Sequence, residues 1–112
     1  MILFKVHLKI SPSKKEEVIN IFDSLVGPVS VQPGCIRINL YSDISHNGNF
    51  ILLEEWTSRD EIIKHIRSAE FLKILAIMDL ASESPEVFFN TVTSSEGFEL
   101  IEKVKEKVAN IS

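Results

Sequence analysis

Cysteine occurs once in 112 residues, at Cys35. No internal disulfide can form, and a reducing cytoplasm is the expected compartment. The four glycines stand apart at 27, 34, 48 and 97, so no glycine-rich loop exists to cradle phosphates, and the usual routes to a nucleotide cofactor are closed. His7, His46 and His65 lack any short ligand spacing, and with one cysteine no zinc pattern arises; neither metal nor cofactor is expected. The 16 acidic residues outnumber the 12 basic ones for a net charge of −4, and the isoelectric point is near 5.3. Lysine and arginine are scattered, which argues against a nucleic-acid partner. No apolar run approaches the ~20 residues that span a bilayer. Met1-Ile2-Leu3-Phe4-Lys5 lacks the basic flank and long apolar stretch of a signal peptide. No membrane partner is expected.

What the chain does have is apolar content: 45% hydrophobic residues and a mean hydropathy of +0.13. A domain of this size buries less than ~70% of the surface its unfolded chain exposes. Part of that apolar surface is therefore a candidate for a partner subunit.

Residues 3–10 alternate, with Phe4, Val6, Leu8 and Ile10 on one face and Lys5, His7 and Lys9 on the other, the pattern of a half-buried strand. Ser13 and Glu16 are spaced as a capping box. The helix behind them carries Val18, Ile19, Phe22, Leu25 and Val26 inward and should fray at Gly27-Pro28. A second strand, 35–41, places Ile36, Ile38 and Leu40 opposite Arg37, Asn39 and Tyr41. Asn47-Gly48 signals a hairpin turn with both residues at positive φ. The returning strand, 50–56, is apolar on both faces, as suits the middle of a covered sheet. Ser58 and Glu61 open a second helix with Ile62, Ile63, Ile66 and Ala69 inward. A further helix follows over 70–81, then a strand over 86–92 with Phe88 and Phe89 on opposite faces. Ser94-Ser95-Glu96 should cap a last amphipathic helix reaching about residue 110.

Strand–helix–strand twice, joined by a hairpin, spells a ferredoxin-like α+β fold: a four-stranded antiparallel sheet with both main helices on one face. The other face is left bare, a patch larger than a monomer usually shows. A second copy would cover it, so a homodimer through the open sheet face is expected. The final helix repeats Phe98, Ile101, Val104, Val108 and Ile111 as a narrow seam. That seam suits either the partner or the chain's own sheet edge.

His65 is the candidate acid or base. It lies one helical turn from Glu61 and Ile62 and beside the buried stripe, where a half-desolvated imidazole suits proton transfer; the same spacing suits a histidine that merely satisfies a backbone group. Trp56, the only tryptophan, can wall a pocket or simply fill core. Glu54 shares its strand face and, if buried, must be paired or protonated. Arg37, Asn39 and Tyr41 form a polar row that could line a cleft or face solvent. Cys35 has no adjacent base and reads as a small packing residue. The third strand lacks the basic and paired aromatic pattern that stacks RNA bases.

Pro33-Gly34-Cys35, Tyr41-Ser42-Asp43, Phe50 through Trp56 with its Glu54-Glu55-Trp56 end, and His65-Ile66-Arg67-Ser68-Ala69-Glu70-Phe71 together resemble the antibiotic biosynthesis monooxygenase family. The resemblance covers roughly residues 1–93, with 94–112 as an added helix of the same domain. It implies a dimeric α/β barrel with two sheets face to face and a ligand cavity between sheet and helices. It also implies oxidation of a small phenolic or quinol-type aromatic by O2 without flavin or metal. His65 would be the acid, base or substrate anchor, Trp56 a supporting wall, and Asn39 and Tyr41 further substrate contacts. The haem-degrading branch is disfavoured: Val6 stands where that branch has Asn, His65 where it has Trp, and Leu75 where it has the iron-binding His. An isomerase branch and a non-catalytic dimeric binding module remain alternatives.

Overall fold

The computed structural model describes the backbone of residues 1–111 and the side chains of residues 1–106; Val108 and Ile111 of the expected seam lie outside the described side chains. The order is β1 (Ile2–Lys9), α1 (Lys15–Ser30), β2 (Cys35–Ser42), β3 (Asn49–Trp56), α2 (Arg59–Ile66), α3 (Phe71–Asp79), β4 (Glu86–Thr91) and α4 (Phe98–Ile111). The antiparallel sheet runs β2-β3-β1-β4, the ferredoxin-like arrangement expected from the element order.

Alternation sorts the side chains cleanly. Ile2, Phe4, Val6 and Leu8 of β1 and Phe50, Leu52, Glu54 and Trp56 of β3 are buried beneath the helices. Val18, Leu25 and Val29 bring α1 down on them, and Ile74 and Ile77 do the same for α3. The register pairs Arg37 with Glu55, Asn39 with Leu53 and Tyr41 with Ile51. Leu3, Lys5, Ile51, Leu53 and Phe88 therefore share the face with no helix over it, and Lys5 reaches over the Phe88 ring at 5.6 Å.

Several local expectations give way. Pro12 starts a short 3-10 turn over 12–14, its fixed φ turning the chain early. Ser13 then sits inside that turn, 3.2 Å from the Ser11 hydroxyl, and α1 begins at Lys15 with no side-chain cap. α1 also runs through Gly27-Pro28 to Ser30, because Val29 is fully buried against the core and its burial outweighs the bond Pro28 cannot donate. A bulge between Cys35 and Arg37 pushes Ile36 out of register, and it is exposed rather than inward. The β2–β3 connection is a six-residue loop in which only Gly48 has positive φ, at 89°. Asp43 shapes it by accepting the Ser45 N–H at 2.8 Å. That bond, with His46 alongside, holds its carboxyl below the usual range.

Ser58 caps α2 as expected, accepting the Glu61 N–H at 3.3 Å. The helix stops at Ile66, however, and buries Ile62 and His65, while Ile66 and Ala69 face outward. At the far end, Ser94 to Glu96 do not cap α4. Glu99 does so instead, accepting the Gly97 N–H at 2.8 Å, which pulls its carboxyl below the usual range.

Candidate functional site

β3 and α2 build the site between them. Residues 54 and 56 point to the same side of β3, and α2 lays His65 over both. The Trp56 and His65 rings stack with centroids 4.4 Å apart, and Phe71 meets the imidazole edge-on at 5.3 Å. Glu54 Oε1 accepts the Trp56 Nε1–H at 2.9 Å and lies 2.9 Å from His65 Nε2. The Nε2 contact is off-line for a hydrogen bond, and Glu54 Oε2 has no hydrogen-bond partner among the described residues. Both side chains are fully buried.

The opposite edge of the imidazole is fixed by Gln32, which follows α1. Its Nε2 donates to Ser68 Oγ at 3.2 Å and to Glu70 Oε2 at 3.1 Å, so its Oε1, 2.7 Å from His65 Nδ1, must accept. His65 therefore carries its proton on Nδ1. A proton arriving at Nε2 would meet the Glu54 carboxyl oxygen 2.9 Å away. Ser68 closes the ring of contacts by donating to the His65 carbonyl at 2.6 Å.

A groove of about 210 Å³ lined by Gln32, Pro33, Glu61, Lys64, His65 and Ser68 reaches the Nδ1 side. On the Phe71 side the aromatic contacts continue. Phe71 lies 5.9 Å from Phe4, and Phe4 stacks on Phe89 at 4.7 Å. Phe89 is half exposed. The result is a run of aromatic rings that leads from His65 through Phe71 and the fully buried Phe4 to the surface at Phe89. A larger cavity of about 430 Å³ bordered by His7, Lys9, Asp43, Asn49, Glu83 and Glu86 shares no residue with this cluster.

Of the four residues singled out by sequence, His65 and Trp56 meet. Asn39 and Tyr41 do not join them: the register puts both on the opposite face of the sheet, because positions 39 and 41 pair with 53 and 51 rather than with 54 and 56. Glu54, which the sequence required to be paired or protonated if buried, is buried and meets both Trp56 Nε1 and His65 Nε2. Gln32 was not singled out; its only sequence signal is its place just before Pro33-Gly34.

This order of elements carries a sequence match as well: the profile described as antibiotic biosynthesis monooxygenase matches residues 1–76, more than half of the chain. The chain belongs to the antibiotic biosynthesis monooxygenase (ABM) family. It is 31% identical over 65 residues to the uncharacterized protein sll1783 of Synechocystis, a match covering 58% of this chain and 44% of that one. It spans less than half the length of that relative. It is 26% identical over 76 residues to YcnE of Bacillus subtilis, whose name carries a provisional monooxygenase assignment, over 68% of this chain and 80% of that one. The structure of Rv0793 from Mycobacterium tuberculosis superposes with a TM-score of 0.76 at 18% identity, over 86% of this chain and 98% of that one. At that identity the likeness establishes the fold. At the positions where haem-degrading ABM proteins are expected to carry Asn and His, Val6 and Leu75 offer only hydrocarbon.

Proposed function

We propose that this ABM protein is a cofactor-independent monooxygenase that oxidises a small phenolic or quinol-type aromatic with O2. The observation that carries the reading is the buried Glu54–His65–Gln32 array, joined through Phe71 and Phe4 to the exposed ring of Phe89. An electron-rich phenolate can itself reduce O2, so the protein needs only to remove a proton, orient the ring and exclude water. In the balanced reaction a quinol takes up O2, one oxygen atom enters the ring as a carbonyl, and the other leaves as water. His65 Nε2 is the atom that accepts the phenolic proton, with Glu54 stabilising the imidazolium and Gln32 holding the ring in place. Trp56 backs the imidazole. Phe71 must rotate for a substrate entering beside Phe89 to reach it.

The full burial of His65 favours a second reading, a dimeric small-molecule-binding module in which His65 and Trp56 are packing residues. In either case the working unit is a homodimer through the face carrying Leu3, Ile51, Leu53 and Phe88. Asn39 and Tyr41 then belong to that interface or to a ligand reached through it. The ABM-like unit is taken as residues 1–93 with 94–112 as its appendage, and the lone Cys35 is consistent with a cytoplasmic protein. Among the described residues no helix is long and apolar enough to cross a membrane.

The test is oxygen uptake with a panel of hydroquinones and anthrones, on wild type and on His65→Gln, which keeps a polar partner for Glu54. Uptake by wild type that falls at least ~100-fold in the variant is expected for a lost general base. No uptake with any substrate, or equal rates in both proteins, would sink the catalytic role.

A further inference from the structure

Hydrogen bonds reach His65 from outside the stacked rings, and they begin at Glu70. Gln32 is tied at both ends of its backbone. Its N–H donates to the Val29 carbonyl at 3.0 Å, and its carbonyl accepts the Cys35 N–H at 3.1 Å. The side chain crosses from there to the stretch between α2 and α3. Its amide nitrogen meets Ser68 Oγ at 3.2 Å and Glu70 Oε2 at 3.1 Å, and its oxygen lies 2.7 Å from His65 Nδ1. Gln32, Ser68 and Glu70 are all half-buried.

A glutamine amide can turn over and exchange its oxygen and nitrogen with little change of shape. What prevents that turn must be a neighbour with no choice of role. Ser68 has a choice, because a hydroxyl both donates and accepts. It donates to the His65 carbonyl at 2.6 Å, but that carbonyl also receives the N–H groups of Arg67 and Ser68. The hydroxyl is therefore free to swing toward Gln32. His65 has a choice too, since a neutral imidazole carries its proton on either nitrogen. Glu70 has none. An ionised carboxylate only accepts, so a turned amide would set oxygen against oxygen and lose a charge-assisted bond.

We propose that Glu70 is a positioning residue that decides which nitrogen of His65 is the base. Its carboxylate holds the Gln32 amide nitrogen, Gln32 Oε1 then requires a proton on Nδ1, and the free electron pair is left on Nε2. Nε2 has no hydrogen-bond partner among the described residues, in keeping with an atom that bears no proton. This deepens the function proposed above and rests on that reading for its catalytic consequence, though not for the tautomer itself.

The test reverses the constraint. In Glu70→Lys the ammonium only donates; it draws the Gln32 oxygen, turns the amide nitrogen toward Nδ1 and moves the imidazole proton to Nε2. Glu70→Gln still offers an oxygen to Gln32 and should restore the original arrangement. The variants are made in a His7→Gln/His46→Gln background, which leaves His65 alone of the three histidines. Long-range ¹H–¹⁵N correlation spectra at pH 8 read the two ring nitrogens. In the background chain and in Glu70→Gln, Nδ1 should be pyrrole-like and Nε2 pyridine-like. In Glu70→Lys the two should exchange. Should the lysine unfold the chain, Glu70→Ala reads the same constraint: both tautomers populate and the two resonances move toward each other. Unchanged resonances in folded Glu70→Lys or Glu70→Ala overturn the proposal. A background chain whose pyridine-like nitrogen is Nδ1, or is absent, overturns it as well. Oxygen uptake on the same variants keeps the two readings apart. Exchanged resonances with unchanged uptake leave Glu70 as the positioning residue and sink Nε2 as the base.

Discussion

Replacing His65 by Ala is the most informative single perturbation of this fold. The side chain has no solvent exposure, and among the described residues its Nε2 is the one basic group within salt-bridge distance of the equally buried Glu54. Removing one member of a buried pair costs about 3–5 kcal/mol, because the other is left without compensation. The Trp56 N–H alone remains to Glu54 Oε1. Against a total stability of about 5–15 kcal/mol for a domain of this size, such a loss is large. It corresponds to a fall in Tm of roughly 12–20 °C. The charge is the main cause, so neutralising it should rescue. Glu54→Gln keeps an oxygen for Trp56 and removes the buried anion, and the double variant should be more stable than His65→Ala by at least about 1.5 kcal/mol. Urea unfolding followed by tryptophan fluorescence, at one fixed protein concentration, measures all four corners of the cycle. If His65→Ala costs less than about 1 kcal/mol, or if Glu54→Gln fails to rescue it, then the pair is not the electrostatic unit described here.

Gly34 sits at φ 86°, and a methyl group there would meet the Glu61 side chain at 2.5 Å; Gly34→Ala should cost about 1–3 kcal/mol in urea unfolding. Burial, and secondarily the charge of Glu54, raises the Cys35 thiol above its ordinary 9.0. Alkylation by iodoacetamide at pH 8 should therefore be slower in the folded protein than in urea, and faster in Glu54→Gln than in wild type. The sign for stability follows: the folded state favours the protonated thiol, so this contribution is complete below the unfolded thiol's pKa and is lost as pH rises above it. A folded-state rate equal to that in urea would contradict the burial of Cys35.

The strands of this protein were readable because their periodicity of two is written directly in the side chains: Phe4, Val6 and Leu8 on β1 each fell on the buried face. Helix ends were less readable. Pro28 and Ala69 acted against their usual local meaning because the position of the sheet, not the nearest residues, decided where burial stops. His65 could be placed near the core from its helical spacing. Its partners could not, since Gln32 lies 33 residues away and joins it only through the docking of the α1 end against α2.

The sequence by itself determined the order of elements, the faces of β1 and β3, the bare sheet face and the family, because these rest on local pattern and short motifs. Tertiary structure alone decided that Glu54, Trp56, His65 and Gln32 form one array and that Asn39 and Tyr41 are excluded from it. The physical reason is strand register. A side chain's face is set by its partner across the sheet, and the bulge at Cys35–Arg37 that carries β2 into that register leaves no unambiguous mark in the residues themselves.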